Sequence, residues 1–98
     1  MSWKIEASKE FIKNKEKLGD PKEVKKFLDE LEKELRENPD KTIKMLEREP
    51  MIARIEKIRL KRIRIGRYRV FYYIDYKNHK IKLVNIRLRK ETKKTYRL

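Results

Sequence analysis

The chain has 98 residues, enough for one small domain with a single hydrophobic core and too few for a second lobe. It holds no Cys and one His, so a disulfide framework, a thiolate metal site and a cysteine nucleophile are excluded, and we expect no metal or other cofactor. No apolar run reaches the roughly 18 residues of a membrane span and the N-terminus lacks a secretion-signal pattern, so we expect a cytoplasmic protein. Charged residues make up 47% of the chain and Gln is absent, which suggests a thermophilic source.

The formal net charge of +14 belongs to one half of the chain. Residues 1–50 hold 13 basic and 13 acidic side chains, whereas residues 51–98 hold 17 basic and 3 acidic ones. In the first half the two signs alternate, as on a solvated surface. Self-repulsion in the second half needs a polyanionic partner to offset it, so we expect nucleic acid, an acidic protein, or both.

An alternating segment opens the chain. Trp3, Ile5 and Ala7 are separated by polar residues, which predicts a short strand over residues 2–6. We expect the large ring of Trp3 to pack in the core rather than to contact a ligand.

Two helices joined by a tight connection are predicted next, as an αα-hairpin. Ser8 is expected to cap the first helix, which ends near Leu18. Asp20 as N-cap and Pro21 as the first helical residue begin the second helix, and Pro39 ends it. Their apolar positions recur at spacings of three and four residues and need a sheet to cover: Phe11, Ile12, Leu18, Val24, Phe27, Leu28, Leu31 and Leu35.

Residues 40–53 have no clear period, and both a short helix and an apolar connector remain open for them. From Ile55 onward the period changes to two, which predicts an antiparallel meander of three strands. Its turns are expected at Gly66 and over residues 77–80, and its last strand over residues 81–88.

The parity of the apolar residues changes within the first strand of this meander. Ile58 and Leu60 share one face, whereas Ile63 and Ile65 share the other, so a bulge near residues 61–62 is predicted to turn both pairs inward.

The middle strand of the meander is expected to present two chemically different faces. One face carries Tyr68, Val70, Tyr72, Ile74 and Tyr76, which we expect to pack against the helices; the other carries Arg69, Phe71, Tyr73 and Asp75. Together these elements predict one α+β domain over residues 1–98, ordered β-α-α-β-β-β, with the helical hairpin packed on a small antiparallel-rich sheet.

Three arginines flank the predicted turn at Gly66. The hairpin would bring Arg62, Arg64 and Arg69 close together on the exposed side of the sheet. Like charges are concentrated mainly where an anion sits between them, and a phosphate matches the planar fork of a guanidinium. Periodicity alone favours equally well the ordinary alternative, arginines that alternate outward on a solvated strand.

The run Gly-Arg-Tyr-Arg-Val-Phe-Tyr over residues 66–72, the arginines before it and the Tyr96-Arg97 pair in the tail resemble RelE-type toxins of the RelE/ParE superfamily. The N-terminal strand and αα-hairpin also fit, so the resemblance spans nearly the whole chain. It implies the toxin of a type II toxin-antitoxin system, a ribosome-dependent endoribonuclease that cleaves messenger RNA in the decoding site by attack of a ribose 2′-hydroxyl on the adjacent phosphodiester. It also implies a RelB-like antitoxin partner in a hetero-oligomeric complex.

The resemblance implies roles for particular residues of the second half. Tyr96 is the favoured acceptor of the 2′-proton, because arginine stays protonated and surrounding positive charge favours a phenolate. Lys90 is the runner-up for that role, and Arg89 competes with Lys90 as the basic residue of the tail that faces the phosphate. The implied catalytic residues are Arg62, Arg64, Arg69, Lys90 and Tyr96, and the expected further RNA contacts are Lys61, Arg67, Arg87, Arg89 and Tyr73.

The chain departs from the family pattern in two respects, and one is that the spacing between the tail basic residue and Tyr96 is longer than in the compact versions of the motif. The other is that many relatives place a His just before the tail arginine, where this chain has Leu88. The single His79 falls in a predicted hairpin loop, where we expect a solvated residue rather than a catalytic one. A weak acid/base set predicts poor cleavage of free RNA and dependence on substrate positioning by the ribosome. The alternatives are a ParE-like inhibitor of DNA gyrase without nuclease activity and a non-catalytic basic RNA-binding module.

Overall fold

The computed structural model describes residues 2–89, which form an α+β fold and so confirm the predicted class. In chain order the elements are β1 (Lys4–Ala7), α1 (Lys9–Lys17), α2 (Lys22–Glu37), α3 (Pro39–Glu47), β2 (Met51–Ile55), β3 (Ile58–Ile65), β4 (Tyr68–Asp75) and β5 (Lys80–Leu88). The strands form one sheet in the order β1-β5-β4-β3-β2. β1 pairs in parallel with β5 and the other neighbours are antiparallel.

The first helix begins and ends where its capping residues predicted. The Oγ of Ser8 accepts a hydrogen bond from the Phe11 N–H at 3.0 Å, and Leu18 is the C-terminal cap. Gly19 then takes a φ of +83°, a left-handed conformation that glycine adopts without a steric cost. The strand predicted over residues 2–6 is found one or two residues later, as β1.

The prediction that Asp20 caps the second helix is wrong. Pro21 is the N-cap of α2, with no side-chain capping bond, and Asp20 takes a φ of +49°. The Asp20 N–H donates to the Lys15 carbonyl at 3.0 Å, and its carboxylate lies 3.5 Å from the Lys15 Nζ. Asp20 therefore belongs to the turn that closes α1, which is why its side chain does not cap the next helix.

The segment left open over residues 40–53 forms both a helix and a strand, α3 and β2. Pro39 ends α2 as predicted, but it is also the first residue of α3, a position where proline loses no helical hydrogen bond. Thr42 joins the two helices, because its hydroxyl shares one proton between the Asn38 carbonyl, 2.7 Å from Oγ1, and the Glu34 carbonyl, 3.2 Å from Oγ1. The expected order β-α-α-β-β-β therefore lacked α3 and the edge strand β2.

The C-terminal end of α3 is held by the sheet. The hydroxyl of Tyr72 donates to the Leu46 carbonyl at 2.8 Å, and burial raises the pKa of this phenol. The last carbonyls of a helix have no partner within the helix, so a side chain that reaches them stabilises its end. Tyr72 therefore has both a core ring, as predicted, and a buried hydrogen bond that joins β4 to α3.

The bulge expected near residues 61–62 is absent. β3 pairs with β4 without interruption from Lys61 opposite Tyr72 to Ile65 opposite Tyr68. Ile58, 37% exposed, thus keeps its place on the face of β3 away from the helices. It does so because this end of the strand pairs with β2 and extends past the core. The sheet is irregular elsewhere, between Met51 and Ala53 and opposite the Phe71-Tyr72 step of β4.

The core lies between the helices and one face of the sheet. Trp3 packs against its margin, as predicted, whereas Tyr76 is 52% exposed, contrary to expectation, because β4 ends one residue before it. Within the described residues, no helix is long and apolar enough to cross a membrane. The buried cluster consists of Phe11, Val24, Leu31, Leu35, Ile43, Leu46, Ile65, Val70, Tyr72, Ile81, Leu83 and Ile86.

Candidate nucleic-acid interface

Three arginines lie side by side across the centre of the sheet, on the face away from the helices. Arg69 on β4 is the cross-strand partner of Arg64 on β3 and of Arg87 on β5. Neighbouring strands are about 5 Å apart, so the three Cα atoms span about 10 Å. We call Arg64, Arg69 and Arg87 the arginine row. Like charges directly opposite one another are destabilising, so this arrangement favours an anion bound above the row.

Arg69 is the deepest member of the arginine row. Its side chain is 4% exposed, whereas Arg64 and Arg87 are exposed. The expectation of three exposed guanidiniums is therefore wrong for Arg69, because at this level of the sheet β4 alone is paired on both sides: β1 reaches only Leu83 of β5, and β2 reaches only Lys61 of β3. An anion that reached this depth would leave much of its water behind, and its attraction to the guanidinium would be correspondingly stronger.

A second row lies one step further along the strands. Arg62, half-buried, is opposite the buried ring of Phe71, and Tyr73 follows Phe71 on the same face. A cavity of about 310 Å³ lies beside Arg62 and Arg64 and is also lined by Glu49. The structure therefore places Arg62 next to the arginine row, as predicted, with aromatic surface on its other side.

The turn between β3 and β4 brings two further basic residues close to the arginine row, on the side where β3 ends. Gly66 takes a φ of +60°, a conformation in which an L side chain is strained, and Arg67 follows it on the surface. The Arg89 N–H donates to the Arg67 carbonyl at 3.0 Å, which ties the end of β5 to this turn. The Arg89 Nε is buried and has no hydrogen-bond partner among residues 2–89.

A bulge in β5 decides which face its arginines occupy. Leu83 is opposite Tyr72 and Asn85 is opposite Phe71, so β5 has one extra residue at this point. Ile81 and Leu83 face the core before the bulge, and Ile86 faces it afterwards. The buried residues of β5 are therefore odd-numbered before the bulge and even-numbered after it. Arg87 consequently lies on the face of the sheet away from the helices, which we call the open face. This change of parity is visible in the sequence and was the available signal for the bulge.

Helix α1 holds this bulge from the side. The Ser8 Oγ donates to the Val84 carbonyl at 2.7 Å, and the Asn14 Nδ2 donates to the Asn85 Oδ1 at 2.5 Å. The same oxygen accepts from the Ile86 N–H at 2.8 Å, so it satisfies a backbone donor displaced from the ladder. Sequence reasoning missed Asn14 and Asn85, because nothing local connects residues that are 71 positions apart.

Several predicted site residues lie elsewhere. Lys61 is on the helix side of the sheet, where its Nζ donates to the carbonyls of Glu47 at 2.8 Å and Glu49 at 2.9 Å; it caps the end of α3 and does not join the arginine row. Lys90 and Tyr96 lie outside the described residues.

His79 is not solvated as the sequence suggested. The residue is half-buried, and its ring centroid lies 4.9 Å from that of Trp3. Its carbonyl accepts a hydrogen bond from the Lys4 N–H at 3.0 Å, so this turn holds the beginning of β1. These contacts give His79 a structural place at the opposite end of the sheet from the turn at Gly66.

At the end of the open face farthest from Gly66, charged side chains neutralise one another. Glu6 on β1 forms ion pairs with Lys80 at 2.6 Å and Lys82 at 2.7 Å, both on β5. Hydrogen bonds from these two lysines lower the pKa of Glu6 to about 2. Within residues 2–89, neither Arg64 nor Arg87 has such a carboxylate partner. Arg64 and Arg87 are therefore cations of this face that no carboxylate of the described residues neutralises.

The fold and the site define a class: a small basic α+β domain with cations arrayed across the open face of its sheet. Residues 5–92 match the family of the ParE toxin of type II toxin-antitoxin systems, parDE, so the chain belongs to this family within the RelE/ParE superfamily. The resemblance seen in the sequence is thus confirmed at the level of the superfamily.

A solved structure shares the fold. A chain in the crystal structure of the archaeal RelE–RelB complex from Pyrococcus horikoshii OT3 is 23% identical to this one, with a TM-score of 0.54. The match covers 91% of the present chain and 97% of that chain, and this likeness concerns the fold. A comparison with curated protein sequences finds no match.

Proposed function

We propose that this toxin is a ribosome-dependent endoribonuclease that cleaves messenger RNA in the decoding site. The observation that carries the proposal is the arginine row, in which Arg64, Arg69 and Arg87 are aligned across three adjacent strands. A phosphodiester above this row would have guanidinium donors on several sides. The decoding site lies in the cytoplasm, so the proposal also assigns the protein to that compartment.

The chemistry requires charge stabilisation at one phosphate. The ribose 2′-oxygen forms a bond to phosphorus, the bond to the 5′-oxygen breaks, and the products are a 2′,3′-cyclic phosphate and a 5′-hydroxyl. Negative charge accumulates on the non-bridging oxygens during this step, and cations already in place stabilise it without reorganisation. Arg69 would be the innermost of these cations, with Arg64 and Arg87 beside it.

Proton transfer is the second requirement. The 2′-hydroxyl loses a proton and the leaving 5′-oxygen gains one, and arginine is a poor base because it stays protonated. We propose Tyr96 as the acceptor of the 2′-proton, with Lys90 as the other candidate, from their places in the sequence motif. A substrate held in line by the ribosome would supply the positioning that such a weak acid/base set needs.

The proposal is tested by primer extension on a defined message, with and without programmed ribosomes. We expect cuts at codons in the decoding site only when ribosomes are present. Arg64→Ala and Tyr96→Phe should abolish most of them, whereas Arg36→Ala on the exposed side of α2 removes the same charge as Arg64→Ala and should have little effect. Arg69→Ala should reduce cleavage more than ribosome binding, because the interaction with the phosphate strengthens in the transition state.

A second function is favoured by the family match itself, which is to the ParE toxin. A ParE-like protein would inhibit DNA gyrase without cleaving RNA, and the arginine row would then contact an acidic partner. Absence of cuts under every condition, combined with loss of supercoiling activity when the toxin is added to gyrase, would favour this function over the nuclease.

We also propose a protein antitoxin as partner, as the RelE–RelB complex has. Beside Arg62 the open face continues into an apolar strip, where Ile55 is paired with Ile58 and Ala53 with Leu60. Ile55 is 62% exposed, so this strip offers apolar surface directly next to the cations. An amphipathic acidic helix could cover both at once. If the purified toxin-antitoxin complex kept the full activity of the toxin, this proposal would be wrong.

A further inference from the structure

A second cationic surface lies on the opposite face of the sheet from the arginine row. Arg54 on β2 and Arg59 on β3 are direct cross-strand partners, and Lys57 is in the turn that joins the two strands. All three side chains are exposed. We call Arg54, Lys57 and Arg59 the hairpin patch. Arg59 shares its face with Ile63 and Ile65, which point toward the helices, so the hairpin patch and the arginine row are on different sides of the molecule.

An open cavity of about 470 Å³ adjoins the hairpin patch, lined by Glu47, Lys57, Arg59, Lys61, Ile74 and Tyr76. Two of its charged groups are already engaged. Lys61 donates to backbone carbonyls at the end of α3, and the Glu47 carboxylate accepts a hydrogen bond from the Tyr76 hydroxyl. Lys57 and Arg59 therefore remain available to a ligand, beside the half-exposed ring of Tyr76.

The hairpin patch shares its cavity with one carboxylate, that of Glu47, which is hydrogen-bonded to Tyr76. None of its three side chains forms an ion pair or a side-chain hydrogen bond within residues 2–89, and the adjacent turn residue Glu56 forms none with them. Two arginines directly opposite one another repel, so the arrangement is stabilised by an anion from outside.

The chemistry of the surface favours RNA over an acidic protein. The exposed apolar side chains next to the turn of this hairpin, Ile55 and Ile58, lie on the other face, which they share with the arginine row; Met51, also exposed, is at the far end of β2, opposite Lys61. The hairpin patch instead combines cations with an accessible aromatic ring, the combination typical of contacts to phosphates and unstacked bases. We infer that the hairpin patch binds the phosphate backbone of a second RNA segment, distinct from the strand held by the arginine row; this rests on the proposed function.

Geometry separates the two segments. Arg59 and Arg64 are five positions apart on β3, which corresponds to about 17 Å along the strand, and they point to opposite faces. A strand of a few nucleotides could not contact both without passing around the edge of the sheet. The folded RNA of the ribosome presents several backbone segments at once. The domain would therefore lie between the message on one face and ribosomal RNA on the other.

The test measures affinity for two probes, ribosomes without message and a 2′-deoxy-substituted RNA tetranucleotide, as a function of salt. The variant is Arg54→Gln/Arg59→Gln, and the control is Lys25→Gln/Lys26→Gln, which removes two exposed charges from α2. For ribosomes we expect the variant to weaken binding about tenfold and to lower the log-log salt slope by about 1.4, for two phosphate contacts at about 0.7 each. Affinity for the tetranucleotide should not change, and the control should match the wild type.

Each other result has a definite meaning. Unchanged ribosome binding by Arg54→Gln/Arg59→Gln, or an equal loss in the control, would overturn the inference. Equal losses on both probes would place the hairpin patch in the same site as the arginine row. Loss of antitoxin affinity instead of ribosome affinity would make it a protein surface. A wild-type protein that binds ribosomes without cleaving message would contradict the proposed nuclease alone, because the hairpin patch is measured by binding.

Discussion

The hydroxyl of Tyr72 is expected to stabilise the domain through the end of α3. It donates to the Leu46 carbonyl at 2.8 Å. This carbonyl has no helical partner, because the residue four positions later, Pro50, carries no N–H. Tyr72→Phe keeps the buried ring and removes only the hydroxyl. It therefore leaves a buried acceptor without a donor.

The size of the effect follows from that loss. A buried acceptor left unsatisfied costs about 1–3 kcal/mol. For a domain of 98 residues, each kcal/mol corresponds to about 4–8 °C in Tm, so the Tm of Tyr72→Phe should fall by about 5–20 °C. The dependence of the free energy of unfolding on urea concentration should be unchanged, because the surface exposed on unfolding is the same.

The assay is urea and thermal unfolding followed by circular dichroism, with Tyr68→Phe as the matched control. Tyr68 lies on the same face of β4 and is half-buried, and its hydroxyl makes no hydrogen bond within the described part of the chain. Its substitution should change stability by less than about 0.5 kcal/mol. If Tyr72→Phe were no more destabilising than Tyr68→Phe, the hydroxyl would not be holding the helix end and the reasoning would fail.

Three further predictions concern the open face and the bulge. Glu6 has its pKa lowered to about 2 in the folded state, so its ion pairs stabilise the fold above pH 4.5 and are lost as the pH falls toward 2. The Tm of Glu6→Gln should accordingly lie below that of the wild type at pH 7 and converge with it over that range; a constant gap would argue against the ion pairs. Asn85→Ala should lower the free energy of unfolding by about 1–3 kcal/mol, because the Ile86 N–H and the Asn14 amide lose their acceptor. Asn85→Asp keeps that oxygen and should recover most of the loss in urea titrations. Binding of single-stranded RNA should weaken with salt at a log-log slope of about 0.7 per phosphate contacted. Arg87→Gln should reduce that slope, and an unchanged slope would remove Arg87 from the interface.

Local signals in the chain determined the elements with strong caps or regular periods. Ser8 and Leu18 marked the ends of α1 because capping depends on neighbouring residues. The alternation from Tyr68 to Asp75 identified β4, with its core face and its arginine face, because successive side chains of a strand point to opposite sides. The excess of positive charge in residues 51–98 could likewise be read directly from the amino-acid sequence.

The tertiary structure decided the features that depend on contacts between distant segments. Asp20 matched a capping pattern, yet its N–H donates to the Lys15 carbonyl at the end of α1, so its side chain does not cap α2. Lys61 belonged to a basic run, and only the packing of α3 against the sheet showed that it caps a helix. Arg69 is buried between Arg64 and Arg87, and which residues flank it is decided by the strand order and register of the whole sheet. The Asn14 and Asn85 side chains meet across 71 positions, which no local pattern reports. A sequence thus specifies which residues can form an anion site, whereas long-range pairing decides which of them share a face.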